Sequence, residues 1–345
     1  MNRMLRLAGR VTGYLGALIA LLIVAGAAYQ WWAERRDAAA YPMPGALVEV
    51  DATGRRLHLY CSGTTAEPGA PTVVLESGLT APFAAWRQVQ SAVETGARVC
   101  SYDRAGMGWS DPSPNPTRTS YVVEDLERLL DRGGVAGPLL LVGWSAGGVF
   151  VRAFAARNPR RVAGMVLVDS SHESQGLRLP AEPGSAGMLR MLEICRATAW
   201  SGVVRLGGAM NQILAGQPLP EALRAEQLAL FNRTSYCSGV MREVDGFPQD
   251  VRQEHGPSTL GELPLIVITR GRPMTSDDAP PGADPAFADE VNRVWSQLQN
   301  ELAALSSHSE HWFAEHSGHA IPYDQPEIVV RAINRLLDET GAARR

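Results

Sequence analysis

The feature that most narrows the fold is the pentapeptide Gly143-Trp144-Ser145-Ala146-Gly147, set between an apolar run, Leu139–Gly143, and a segment of helical character reaching Arg157. A strand that turns at once into a helix leaves room only for small residues two positions either side of the turning serine, as a G-x-S-x-G elbow requires. The turn lifts the Ser145 hydroxyl above a sheet edge, at a helix N-terminus whose partial positive charge favours a developing anion. Such an elbow needs a sheet to stand on. Short apolar runs at Thr72–Glu76, Arg98–Tyr102, Val162–Val168, Pro264–Thr269 and His311–Glu315 read as buried strands. Amphipathic segments such as Tyr121–Asp131 and Gln325–Glu339 alternate with them, which predicts an α/β fold with a mostly parallel sheet flanked by helices. A hairpin of Ala46–Val50 and Arg56–Cys61 opens the series.

One interval breaks the alternation. Between about His172 and Glu262 no buried strand is legible, and helix-like pieces occur near Gly187–Thr198, Ser201–Leu214 and Glu221–Phe231. An insertion of this length after the sixth strand predicts a helical cap over the edge of the sheet where ligands bind. The core is then 46–171 with 263–340, and the cap 172–262.

A serine needs a base and an orienting acid. Ser317-Gly318-His319 follows the last predicted strand and precedes the last helix, which puts His319 at the same sheet edge as Ser145. His316 is a close rival. His58 alternates within the hairpin and reads as structural, and His255, His308 and His311 read as loop or surface residues. Asp169 ends the strand after the elbow helix, where a carboxylate is held rigidly enough to orient an imidazole. Asp277 and Asp278, beyond the next strand, are the alternatives. Two backbone N–H groups are needed for a tetrahedral oxygen, and position nominates Ala146, directly after the serine, and Leu79, after Gly78.

The N-terminus adds a location. No charged side chain occurs from Val11 to Ala33, a run long enough at about 1.5 Å per residue to cross a hydrocarbon core of roughly 30 Å. Arg3, Arg6 and Arg10 precede it, whereas Glu34, Arg35, Arg36 and Asp37 behind it cancel. This asymmetry predicts a cytoplasmic N-terminus (1–10), a transmembrane helix (11–33) with Trp31 and Trp32 at an interface, a linker (34–45) and an exported body. A signal peptide cleaved near Ala25-Gly26-Ala27 is the other reading, and it too exports the body. The formal net charge of −4, with no Lys/Arg-rich run in the body, gives no reason to expect nucleic acid. Four cysteines suit an exported protein. Cys195 and Cys237 share the cap, which motivates pairing them.

With these residues in view, the chain resembles the α/β-hydrolase superfamily over roughly 46–340. Beyond the elbow, Asp103-Arg104-Ala105-Gly106-Met107-Gly108-Trp109-Ser110-Asp111 is similar to that family's D-x-x-G-x-G-x-S loop. Gly318-His319 followed by Asp324-Gln325-Pro326-Glu327 is similar to its histidine loop. The resemblance implies neighbouring strands for Cys61 and Cys100, hence their pairing. Two departures stand out. Glu76-Ser77-Gly78 replaces the common His-Gly, and Pro264–Thr269 lacks the G-x-x-D that usually carries the acid, which turns attention to Asp169. Ser145 excludes the dehalogenase and epoxide-hydrolase chemistries of relatives with an aspartate there. The implied activity is cleavage of a carboxylic ester or related acyl bond in a small molecule, through a Ser-His-Asp triad and without metal or organic cofactor. Acyl transfer, or a tethered ligand-binding protein without turnover, are the alternatives. The partners expected are the acyl substrate and a lipid bilayer around the N-terminal helix.

Overall fold

The computed structural model describes residues 2–64, 69–181, 185–253, 256–280 and 282–342; His255 lies outside them. Eight strands form one sheet in the order β1-β2-β4-β3-β5-β6-β7-β8. The hairpin strands β1 (Ala46–Glu49) and β2 (Arg56–Ser62) are antiparallel, and β2 runs antiparallel to β4 (Val99–Tyr102). From β4 onward every pairing is parallel, through β3 (Thr72–Glu76), β5 (Leu139–Trp144), β6 (Val162–Val168), β7 (Leu265–Arg270) and β8 (Ser309–Ala314). The central strands are apolar at consecutive positions because both faces are covered. Val73, Leu75, Leu140, Val142, Val166 and Val168 point to one side, against the helices Arg87–Val93 and Pro326–Ala342. Val74, Leu139, Leu141, Met165 and Leu167 point to the other, against Thr119–Arg132 and Ala146–Arg157. Parallel strands end at one edge, so Ser77, Ser145, Asp169 and Arg270 all emerge on the same side of the molecule.

Between β6 and β7 the chain is helical, as the missing strand signal implies. The helices Ser185–Thr198 and Glu221–Phe231 lie close to the predicted pieces. The Ser201–Leu214 piece is instead broken into Val203–Leu206 and short 3-10 turns, because Gly202 and Gly208 sit in the left-handed region and cannot continue a helix. The longest cap helix, Tyr236–Gln253, has no counterpart in the sequence reading. Its Gly239 and Gly246 lower helix propensity, yet they permit close packing. A Cβ on Gly239 would lie 2.3 Å from the Gly106 carbonyl, and one on Gly246 2.3 Å from that of Thr117.

At the N-terminus a single helix runs Asn2–Ala40, so residues 34–40, expected to be linker, are helical. Its segment Arg10–Ala40 is long and apolar enough to cross a membrane. The last turns are held by the cap: Arg205 reaches Asp37 at 2.5 Å and Gln30 at 3.2 Å, and Glu34 accepts from Thr234. These partners lie about 170 to 200 residues away in sequence, which is why the segment reads as a linker when taken locally.

Both cysteine pairs are bonded, Cys61–Cys100 across directly opposed positions of β2 and β4, and Cys195–Cys237 between two cap helices. The first closes a loop of 39 residues, a constraint on the unfolded chain of about 4 kcal/mol. Replacing Cys61 and Cys100 together by serine is expected to lower the thermal midpoint by roughly 10 °C, as scanning calorimetry would measure.

Candidate active site

Ser145 stands between β5 and the helix Ala146–Arg157 with φ 55° and ψ −124°, a conformation that side chains rarely adopt. The neighbouring glycines make it possible. A Cβ on Gly143 would sit 2.6 Å from the Gly147 carbonyl, and one on Gly147 would sit 2.4 Å from the Glu76 carbonyl. The Ser145 amide donates to Val168, and its carbonyl accepts from Gly148 and Ser171. Strain at the turn is therefore carried by bonds to the end of β6 and to the first turn of the helix that follows the serine.

His319 Nε2 lies 2.9 Å from Ser145 Oγ, and its Nδ1 lies 2.6 Å from Asp169 Oδ2. The ring packs between two indoles, Trp144 at 5.8 Å and Trp295 edge-on at 5.9 Å, and the Trp144 indole N–H donates to the His319 carbonyl. The loop before it is held through Asp324, which accepts from the Ser317 hydroxyl and the Gly318 amide. The His319 side chain remains 43% exposed, so a small molecule can reach it.

Asp169 is fully buried and sits at φ 37°. Its Oδ1 accepts from the Trp295 indole at 2.8 Å and from the Arg270 amide at 3.1 Å, and the Arg270 guanidinium lies 3.7 Å from Oδ2. Buried carboxylates persist only when their oxygens are satisfied in this way. Of the three candidate acids, Asp169 is the one brought to His319. Asp278 instead closes a capping box with Thr275 in the exposed turn Ser276–Asp278, which also contains Asp277. His316 is exposed, and its amide donates to Gln325. The other histidines that sequence set aside serve elsewhere. His58 is buried between Asp103 and the Pro44 carbonyl, His308 pairs with Glu339, and His311 lies in β8 against Thr269.

The loop after β3 carries a network that the sequence did not announce. Arg104, buried, pairs with Glu76 at 2.6 Å and Glu243 at 2.7 Å. The same guanidinium donates to the carbonyls of Ser77 and Gly78. Glu243 then accepts from the Thr80 amide, Tyr236 donates to the Thr80 carbonyl, and the Tyr102 hydroxyl bonds Glu76. Burial raises the Glu76 carboxyl above its ordinary value although Arg104 pulls it down. Burial alone would lower Arg104, but its two carboxylate partners outweigh this and raise it. A trans peptide directs its C=O and N–H to opposite sides. With the Gly78 carbonyl fixed on Arg104, the Leu79 N–H points away from Arg104. Gly78 also allows close approach: a Cβ there would meet Ser145 Cβ at 3.1 Å and the Trp144 ring at 3.3 Å. The Leu79 side chain packs on the cluster that contains Ala146. The signal available in sequence was Arg104 beside Asp103, two charges directly after a buried strand.

Known proteins share this fold. A family model described as the alpha/beta hydrolase fold matches residues 71–198. An AB hydrolase superfamily protein of Gibberella zeae is 27% identical over 288 residues, 78% of this chain and 87% of its own. Among solved structures, a probable hydrolytic enzyme of Pseudomonas aeruginosa superimposes with a TM-score of 0.63 at 18% identity, over 86% of this chain and 95% of its own. A thermophilic esterase of Thermogutta terrifontis does so with a TM-score of 0.56 at 20% identity, over 86% and 98%.

Removing Arg104 would leave two carboxylates buried without a counter-charge. Arg104→Met is expected to cost about 3–5 kcal/mol of stability, and adding Glu243→Leu should recover part of that loss. Urea unfolding of the single and double variants measures both.

Proposed function

This chain is a member of the α/β-hydrolase superfamily, and from that premise we propose that it is a serine hydrolase acting on a carboxylic ester or a closely related acyl bond. The observation that carries the reading is the continuous line from Ser145 Oγ through His319 to Asp169, at 2.9 Å and 2.6 Å. Hydrogen-bond contact between hydroxyl and base, and between base and a buried acid, is what activation of a serine requires.

In the proposed reaction Ser145 Oγ attacks the acyl carbon as its proton passes to His319 Nε2. Asp169 keeps the Nδ1–H in place and stabilises the imidazolium without itself taking a proton. The carbonyl oxygen becomes an oxyanion, which accepts from the amides of Ala146 and Leu79. Collapse of this intermediate breaks the bond to the leaving alcohol, which His319 protonates. Water then attacks the acyl-serine with His319 as base, releasing the carboxylic acid and restoring Ser145. The oriented Gly78–Leu79 peptide favours this use of the loop, because a fixed donor needs no reorganisation as charge develops. The esterase among the structural neighbours is consistent with an ester substrate.

We further propose that the N-terminal helix is an uncleaved anchor, its N-terminus cytoplasmic and the catalytic body outside. Gly26, in the middle of the cleavage-like Ala25-Gly26-Ala27, packs against the cap: a Cβ on it would lie 2.2 Å from the Ser201 carbonyl. A site embedded in the folded body is a poor substrate for a signal peptidase.

The test is labelling of the full-length chain in detergent with a fluorophosphonate, followed by peptide mass spectrometry. Adduct on Ser145 is expected, absent in Ser145→Ala and His319→Gln, with Asp169→Asn slowing ester turnover by about 10⁴-fold. Folded protein that carries no adduct overturns the hydrolase reading.

A further inference from the structure

The cap presents an apolar face beside the helix proposed as the anchor. Trp200, Val203 and Leu206 are exposed, with Leu206 at 67%, and Met191 and Ile194 on the helix Ser185–Thr198 are exposed as well. These same segments already have an interior: Cys195 and Met210 are buried in a separate cluster with Phe231, Tyr236 and Cys237. The outward side chains are therefore not unfinished core, and a contiguous exposed apolar surface marks a contact.

What that surface contacts follows from where the N-terminal helix meets it. From Val11 to Val24 that helix exposes its apolar side chains, including Leu22 and Val24. From Gly26 onward it is packed on the cap. A Cβ on Gly202 would lie 2.9 Å from the Gly26 carbonyl and 3.1 Å from the Tyr29 ring, and Ala33 is fully buried. On its free side Trp31 and Trp32 are exposed, with Arg35 and Arg36 stacked over them at 4.1 Å and 5.4 Å. Tryptophan with arginine just beyond it is the composition of a membrane interface. Gly26 lies five residues nearer the bilayer centre, which is roughly 7.5 Å at 1.5 Å per residue. Ser201 and Gly202, which touch Gly26, are carried to about that depth with it, while Arg205 reaches back up to Gln30 and Asp37.

We infer that this face of the cap dips into the outer interface of the bilayer, so that the hydrolase opens beside lipid and takes a lipophilic acyl substrate from the leaflet. The inference rests on the anchor reading above and extends it from the helix to the cap. Depth is the right scale: interfacial apolar faces sit about 5–10 Å into the headgroup–acyl boundary. The same cap also holds the loop beside Ser145, through Tyr236 and Glu243 on Thr80, so membrane contact and the site share one structural unit.

The test uses the full chain in phosphatidylcholine–phosphatidylglycerol vesicles, with environment-sensitive fluorophores on single added cysteines. The native cysteines are all paired, which keeps the label specific. Probes are placed by Leu22→Cys in the span, Leu206→Cys and Met191→Cys on the cap face, and Ser307→Cys on an exposed loop. Expected is quenching of the Leu22 probe by lipids brominated deep in the chain, and of both cap probes by lipids brominated near the headgroup. The Ser307 probe should be quenched by aqueous iodide alone. A deep Leu22 probe with cap probes open to iodide overturns the inference and leaves the anchor standing. Cap probes shielded from both quenchers would assign the face to a protein partner and overturn it as well. A Leu22 probe open to iodide removes the anchor and this inference together.

Discussion

The carboxylate of Asp169 is the interaction on which the candidate site depends. It is fully buried at the end of β6, and three donors converge on it: the His319 imidazole, the Trp295 indole and the Arg270 amide. Those donors come from the histidine loop, from the helix Phe287–Ala303 and from the end of β7. One ionised group therefore ties together four segments that are far apart in sequence. Its left-handed backbone is tolerated because each of these bonds holds it there. A charge placed in such surroundings is expensive unless every oxygen is used, and that expense fixes the imidazole in one orientation toward Ser145.

A second buried charge cluster does the same for the opposite wall. Arg104 draws the carbonyls of Ser77 and Gly78 inward, while Glu243 and Tyr236 hold Thr80 from the cap. The loop beside the serine is thus shared property of the sheet and the cap. Movement of the cap is coupled to the position of the Leu79 amide through a fully buried ion pair, whose rearrangement would expose unpaired charge. The cap is in turn fastened to the N-terminal helix by Arg205, Gln30, Glu34 and Asp37. N-terminal helix, cap and candidate site form one connected path.

Much of this was legible because local rules carry it. The strands were readable from short apolar runs, their ends landing within about two residues of those observed. The elbow was readable from glycines whose Cβ atoms would collide, and Asp169 from its place directly at a strand end. What escaped was non-local. The helix Tyr236–Gln253 was hidden by Gly239 and Gly246, which lower propensity but permit contact with Gly106 and Thr117. Residues 34–40 looked like a linker because their partners lie in the cap. Glu243 carries no signal of its own, since nothing beside it in the chain indicates Arg104, 139 residues earlier. Local pattern finds elements and turns; it does not find the charge pairs that lock them together.

The measurement that bears most directly on the central claim is detection of the acyl-enzyme. The purified chain would be mixed with an activated ester, quenched in acid within the first turnover, and its intact mass and peptides determined. A burst of alcohol equal to the enzyme concentration and an acyl group on Ser145 are expected, with neither in Ser145→Ala. Turnover without a burst or a covalent adduct, undiminished in Ser145→Ala, would contradict that claim.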